Sequence, residues 1–125
     1  MKQFEFPYEN LDVFQLSRAL VKEVYGILRK FPKEERYALC DQLRRSVISV
    51  PSNIAEGLGR ISVKERKYFL VIAFGSLMET HCQLQIACDL GYINDDELQK
   101  INGEIVRVAQ MLIGLRKSVH KRNEQ

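Results

Sequence analysis

Apolar residues recur at spacings of three and four along four separate segments of the 125-residue chain. This spacing is the period of one face of an α-helix, and no segment keeps the alternation that is typical of a half-buried strand. The segments cover about residues 10–30, 33–58, 62–90 and 94–119, with short turns between them. Short turns force successive helices to run antiparallel. The chain is therefore predicted to be all-α, an antiparallel up-down-up-down four-helix bundle.

Prolines and glycines indicate where the first two helices end or bend. Pro32 is predicted to end the first helix, because the residue before a proline disfavours the α region. Pro51 lies inside the second segment, whose apolar stripe continues in phase, so we predict one helix kinked at Pro51. Gly57 and Gly59 are expected to supply left-handed C-cap positions after it.

The third and fourth segments begin with capping signals. Ser62 and Glu65 have the spacing of a capping box. Asn94 is the predicted N-cap of the fourth helix. A mid-helix glycine costs about 1 kcal/mol relative to alanine, so we expect Gly75, in the third helix, to allow the close approach of a neighbouring backbone.

Length and composition predict one packed domain over residues 1–125, with an N-terminal arm at 1–9 and a basic C-terminal tail at 116–125. Hydrophobic residues make up 46% of the chain, but no apolar run approaches the ~20 residues of a membrane span. The first ten residues lack the pattern of a signal peptide. The chain has three cysteines and no C-x-x-C pair, which favours reduced thiols. We predict a cytoplasmic protein with no membrane partner.

No pattern of residues predicts catalysis. Neither His81 nor His120 follows a glutamate by three positions, as the ligand pairs of di-iron bundles do. The cysteines and histidines lack zinc-ligand spacing, and no glycine-rich phosphate loop is present. We predict that the protein is not an enzyme and has no catalytic, cofactor-binding or metal-binding residues.

Positive charge is concentrated in two short stretches. The net charge is +3, and residues 116–125 alone carry four basic residues against one acidic residue. Residues 60–67 also carry four basic residues against one. Such clusters favour binding to nucleic acid, although basic residues at a helix end also complement the helix dipole. The candidate RNA-binding residues are Arg60, Lys64, Lys67, Arg116, Lys117, Lys121 and Arg122.

A polar stripe runs along the second segment, with steps of three and four residues and with Arg44 at its edge. Serine and asparagine are poor helix formers, so side-chain partners are expected to recover the cost. The stripe is interpreted as a structural polar network that pairs with other helices or subunits; a binding groove and a solvated face are the alternatives. The predicted members are Arg44, Arg45, Ser49, Asn53 and Glu56.

The first and fourth segments each carry a second apolar stripe. In the fourth it consists of Val106, Ala109 and Ile113. A helix of a monomeric bundle needs only one stripe, and surplus apolar surface usually marks an interface. We therefore predict a homo-oligomer.

Two stretches resemble a known family. Residues 42–60, QLRRSVISVPSNIAEGLGR, resemble the signature of the four-helix-bundle family of 23S rRNA intervening-sequence proteins. Residues 69–79, FLVIAFGSLME, resemble that family's second motif, and residues 11–32 are similar to its opening. In place of the Glu-Thr pair that many relatives carry after the second motif, this chain has His81 and Cys82.

The resemblance implies a bacterial four-helix bundle that assembles as a ring-like homopentamer, without catalytic residues. It also implies relatives encoded inside insertions in ribosomal RNA genes. Another relative is the accessory variability protein of diversity-generating retroelements, which works with RNA and a reverse transcriptase. Two functions follow as hypotheses: a scaffold associated with ribosomal RNA, or a protein–protein adaptor with no nucleic-acid role. The expected partners are further copies of the chain, RNA, and a protein such as a reverse transcriptase.

Overall fold

The computed structural model describes residues 3–120, which form four α-helices and no strand. The predicted all-α class is confirmed. A short 3-10 helix, Lys33–Glu35, lies between the first two helices. The α-helices are α1 Asp12–Leu28, α2 Leu39–Leu58, α3 Val63–Asp89 and α4 Asp95–Ser118.

The four helices pack as a bundle in which each helix contacts two others. Helix α1 packs against α2 and α4, and α3 packs against the same two. Side-chain contacts between Ser46 and Gln83 and between Ser49 and Ser76 show that α2 and α3 run antiparallel. The up-down-up-down order of the whole bundle and the kink at Pro51 stay predictions.

The core is formed by the stripes that the apolar spacing predicted. Each helix contributes fully buried branched side chains, and burying one contributes about 1.5–3 kcal/mol. Examples of these core residues are Leu20, Val24, Leu43, Val47, Ile54, Leu77, Leu84, Ile101 and Leu112.

No helix among residues 3–120 is both long enough and apolar enough to cross a bilayer.

Helix α2 begins at Leu39, so the predicted start near Lys33 is wrong. The chain after Pro32 first forms the 3-10 helix, and a turn follows before the α-helical pattern of hydrogen bonds starts. A carboxylate oxygen of Glu35 accepts a hydrogen bond from the backbone N–H of Leu39 at 3.4 Å. This contact satisfies one of the free N–H groups in the first turn of α2.

The capping residues differ in part from expectation. Asn94 is the N-cap of α4, as predicted, and forms a complete capping box with Glu97. At the start of α3 the Ser62 side chain accepts from the N–H of Glu65 at 3.3 Å, which is half of the predicted box. The expected left-handed C-cap at Gly57 or Gly59 is wrong, because the positive φ among the described residues is at Gly91.

Close backbone approach occurs at Gly57 and not, within this chain, at Gly75. A Cβ built at Gly57 would lie 3.0 Å from the Cβ of Phe69, whereas one at Gly75 would meet no atom within 4 Å. Gly57 is buried in the contact between α2 and α3, while Gly75 lies exposed on the outer face of α3. Packing within this chain therefore does not explain Gly75, and the close approach of another chain at this position stays a prediction.

Candidate nucleic-acid interface

Arg66 joins the beginning of α3 to the end of α4. Its guanidinium donates a hydrogen bond to the backbone carbonyl of His120, which follows the last turn of α4. Arg66 lies four residues after the N-cap of α3. The first turns of α3 and the last turn of α4 therefore lie together at one end of the bundle. This contact brings Lys64 and Lys67 of the first basic stretch to the same end as Arg116 and Lys117 of the second.

Four of the predicted RNA-binding residues lie at this end without a carboxylate partner. Lys64 and Lys67 belong to the first two turns of α3, and Arg116 and Lys117 to the last turn of α4. None of the four forms an ion pair within residues 3–120. Their positive charges are therefore available to an anion. The other two predicted residues of the tail, Lys121 and Arg122, lie outside the described residues.

Arg60 has a different environment from the four unpaired cations. Its guanidinium lies 2.8 Å from the carboxylate of Glu56 and 3.6 Å from that of Glu65. The guanidinium also lies 4.9 Å from the centre of the Phe69 ring, within the range of a cation–π contact. Arg60 is therefore held in place and partly neutralised, so it adds less to the attraction for phosphate than Lys64 or Lys67.

Arg66 contributes to the positive charge of residues 60–67 but is not among the predicted RNA-binding residues. Its side chain is buried, with 6% of its surface exposed. Its Nε has no hydrogen-bond partner among the described residues. The carbonyl groups at the C-terminal end of a helix carry partial negative charge, which stabilises the buried guanidinium. Arg66 thus fastens the end of α4 to α3 and fixes where the basic tail begins.

Two members of the predicted polar network take part in a chain of side-chain hydrogen bonds between α2 and α3. The Oγ atoms of Ser49 and Ser76 lie 2.7 Å apart, and Asn53 donates to the Oγ of Ser49 at 2.8 Å. This recovers the cost of polar side chains in mid-helix, as predicted.

Further hydrogen bonds between the two helices involve residues that the sequence reasoning missed, and they connect to the first group where Thr80 Oγ1 donates to the Ser76 carbonyl at 2.9 Å. Ser46 donates to Oε1 of Gln83 at 2.8 Å, and the Oγ1 of Thr80 lies 2.9 Å from the Oγ of Ser46. Ser46, Thr80 and Gln83 are buried. A signal existed: Ser76, Thr80 and Gln83 are spaced by four and three residues, which places them on one face of α3.

The charged members of the predicted network do not join these hydrogen bonds. Arg45 lies 3.4 Å from Asp41 along α2, and 80% of its side chain is exposed. Glu56 pairs with Arg60, also along the surface. Within the chain both lie on a solvated face, and their pairing with another subunit stays a prediction. Arg44 lies on the side of α2 that faces the α1–α2 connection, where it donates to the carbonyl of Arg36 at 3.3 Å.

Exposed apolar residues form two stripes on α3 and α4. Val106 and Ile113 of the predicted α4 stripe are about half exposed. The second stripe of α1, which includes Val21 and Tyr25, packs against the core and is largely covered. An unpredicted stripe on α3 adds exposed surface. Its apolar members, with Gly75 and Cys82 between them, are Tyr68, Val71, Met78 and Ile86.

The comparison with known families shows which family the chain belongs to. The family model described as the 23S rRNA-intervening sequence protein matches residues 9–114. The chain belongs to this family. The resemblance of the two sequence motifs is thereby confirmed.

A solved structure is similar to this family member over most of its length. It is described as a protein of unknown function from the S23 ribosomal protein family of Bacteroides thetaiotaomicron. The TM-score is 0.75 at 23% identity, and the match covers 85% of this chain and 99% of that one. This likeness shows the shared fold. No curated protein matches the chain.

Proposed function

We propose that this family member is a non-enzymatic, homo-oligomeric scaffold that associates with RNA in the cytoplasm. The observation that carries the proposal is the group of unpaired cations at one end of the bundle: Lys64, Lys67, Arg116 and Lys117. The cations come from two helices that the Arg66–His120 contact holds together. The name of the family, which refers to 23S rRNA, supports RNA as the anion.

Binding of this kind is expected to be weak, tolerant of sequence and sensitive to salt. Phosphate contacts release counterions, so the logarithm of the affinity falls by about 0.7 per contact for each unit of log salt on single strands. A ribosomal RNA fragment is measured by filter binding at ~50 and ~200 mM salt. We compare the full chain with the double variants K64Q/K67Q and R116Q/K117Q, which remove the charges and keep the contact between Arg66 and the His120 carbonyl.

Each double variant is expected to bind more weakly and to have a shallower salt slope. The control is the double variant K22Q/R45Q, which removes the same charge from exposed positions on α1 and α2. The control is expected to keep the slope of the parent chain. Absence of binding at ~50 mM salt, or an equal loss in the control, would refute the RNA proposal.

The exposed stripe on α4 supports self-association. Light scattering at micromolar concentration is expected to give about five times the 14.5 kDa of one chain, the number that the family resemblance implies. Val106→Lys and Ile113→Lys place charges in the stripe and are expected to dissociate the assembly. Gly114→Lys is the control, because this exposed position on the same helix has open space around it and points about 100° away from its neighbour Ile113 in the stripe. A monomeric parent chain would refute the oligomer.

A protein–protein adaptor is the second candidate function, and the exposed α3 stripe favours it. Tyr68, Val71, Met78 and Ile86 present apolar surface at helical spacing without a partner helix in the bundle. An adaptor would assemble and use this stripe for another protein, such as a reverse transcriptase, but would not bind RNA at low salt. The filter-binding experiment therefore separates the two functions.

A further inference from the structure

A partly enclosed cavity of about 480 Å³ lies where α1 ends and α2 begins. Its volume falls within the range of about 300–1,000 Å³ that is typical of small-molecule sites. Four of its lining side chains are basic and none is acidic: Arg29, Lys33, Arg36 and Arg44. The other lining residues are apolar or aromatic, apart from one thiol: Tyr25, Leu28, Phe31, Pro32 and Cys40.

None of the four basic side chains forms an ion pair within residues 3–120. Glu35 lies on the same connection, where its carboxylate accepts from the hydroxyl of Tyr92 at 2.7 Å and from the N–H of Leu39 at 3.4 Å. Its negative charge offsets part of the positive charge of the wall, but it forms no ion pair with any of the four cations within residues 3–120. A concave site lined by one sign of charge concentrates counter-ions. The four cations outnumber the one nearby carboxylate, so the cavity attracts an anion.

The apolar wall of the cavity is fixed by packing, whereas Arg29, Lys33 and Arg36 lie exposed around it. Leu28, Phe31 and Cys40 are buried, each with less than a tenth of its surface exposed. The Phe31 ring packs against that of Tyr92, with 5.2 Å between their centres. The Arg44 guanidinium donates to the Arg36 carbonyl at 3.3 Å, which holds Arg44 beside the connection.

The two parts of the lining indicate two parts of a ligand. Guanidinium groups bind phosphate oxygens through paired hydrogen bonds, which favours phosphate over a spherical anion. Aromatic and apolar surfaces instead favour a planar or hydrophobic group. A cavity with both features, and of this volume, fits a small organic phosphate better than an inorganic one.

We propose that this cavity binds an organic phosphate of the size of one nucleotide. Its phosphate groups contact Arg36 and Arg44, with Arg29 and Lys33 at the rim, and its planar portion lies against Tyr25 and Phe31. The site is separate from the proposed RNA interface. The Lys30–Glu97 contact places the end of α1 at the start of α4, whereas the RNA interface lies at the other end of that helix.

The experiment is isothermal titration of the full chain with adenosine triphosphate, pyrophosphate and adenosine as probes. Adenosine triphosphate is expected to bind at least tenfold more tightly than either of the other two. Arg36→Gln and Arg44→Gln are each expected to weaken this binding at least tenfold. Arg45→Gln is the matched control, because the neighbouring arginine is exposed, pairs with Asp41 and does not line the cavity. Its affinity is expected to stay within twofold of that of the parent chain.

Three results would overturn the proposal. The first is the absence of binding at millimolar adenosine triphosphate. The second is an affinity for adenosine triphosphate in the Arg36→Gln and Arg44→Gln variants that equals the affinity of the parent chain. Pyrophosphate that binds as tightly as adenosine triphosphate would show a site for inorganic anions only. Lys33→Gln, an exposed substitution in the connection, gives an independent test if either arginine variant fails to fold.

A further comparison identifies the source of the phosphate and separates this site from the RNA interface. Competition by a 5′-triphosphorylated oligonucleotide would support the proposal with the end of an RNA chain as the ligand. Its failure to compete, with adenosine triphosphate still bound, would support a free nucleotide. The variant K64Q/K67Q is expected to keep its affinity for adenosine triphosphate, so the RNA proposal can fail while this one stands.

Discussion

Gly57 of α2 lies so close to Phe69 of α3 that a Cβ on the glycine would be 3.0 Å from the Cβ of the phenylalanine. The same Cβ would lie 3.2 Å from the backbone oxygen of Arg66. A side chain could rotate away from such a contact, but these neighbours are a backbone atom and a Cβ. The spacing between α2 and α3 therefore depends on the absence of a side chain at position 57.

Gly57→Ala is expected to destabilise the protein by about 1–3 kcal/mol, the usual cost of overpacking. Gly103→Ala is the control, because a Cβ at this exposed position in α4 would meet no atom within 4 Å. The control is expected to gain up to about 1 kcal/mol from the better helix propensity of alanine. Thermal unfolding measures both changes. If both substitutions raised the stability, or both lowered it, the close approach at Gly57 would be contradicted.

Thr80→Val is expected to lower the free energy of unfolding by about 1–3 kcal/mol. The substitution keeps the shape of a fully buried side chain but removes the hydroxyl that lies 2.9 Å from the Oγ of Ser46. Ser118→Ala removes an exposed hydroxyl that bonds to the carbonyl of Leu115 and is expected to have little effect. Chemical denaturation of both variants tests this, and similar losses would argue against the buried hydrogen bonds.

Arg45→Ala is expected to cost less than about 1 kcal/mol, because an exposed ion pair contributes little. Arg45 and its partner Asp41 are 80% and 43% exposed in their side chains. Asp41→Asn removes the same pair from the other side and is expected to give a similar small change. A loss of about 3–5 kcal/mol would instead show that another subunit buries the arginine. Thermal melts at concentrations where the chain assembles provide the measurement.

Stability is expected to fall as the pH rises towards neutrality because of Glu104. Its hydrogen bond with Glu23 of α1, a partial loss of hydration and the nearby charge of Glu23 raise its pKa to about 7, against a smaller opposing effect of Lys100. The folded chain therefore binds more protons than the unfolded chain between the ordinary glutamate pKa and about 7, so stability is lost as the pH rises through that range.

Glu104→Gln is expected to flatten this part of the pH profile and to leave the protein more stable than the parent at pH 8. Glu79→Gln, at an exposed position on α3, is expected to keep the slope of the parent. The effect is small, because Glu104 is exposed and solvent screens its charge. Melting temperatures at pH 5 and pH 8 provide the comparison. A slope that persists in Glu104→Gln would assign the pH dependence to other groups.

The helices could be predicted from the sequence because each carries an uninterrupted apolar stripe, as from Leu43 to Ile54 in α2. The start of α2 could not be predicted from the sequence, because Lys33, Glu34 and Glu35 suit the first turn of an α-helix and of a 3-10 helix equally well. The short distance between Gly57 and Phe69 depends on how α2 and α3 pack, and the spacing of residues along the sequence does not predict how closely two helices approach.

The two positively charged sites also differ in how well the sequence predicts them. The cations of the proposed RNA interface lie close together in the sequence within each stretch, so local charge indicates them. Arg29, Lys33, Arg36 and Arg44 are spread over two helices and their connection, and they form one wall only after α1 and α2 pack. The sequence therefore suggested a polar network for Arg44, which the structure places beside a cavity.

The side-chain hydrogen bonds between α2 and α3 determine the order in which the helices of the bundle open. Buried hydrogen bonds hold these two helices together across their close approach at Gly57. Helices α1 and α4 are joined by the ion pair of Lys30 and Glu97, which contributes little where it is exposed, and Glu23 and Glu104 repel each other once both are ionised. Local opening begins where the interactions are weakest. In amide hydrogen exchange above pH 7, α1 and α4 therefore lose protection first, and α2 and α3 remain as the last cooperative unit.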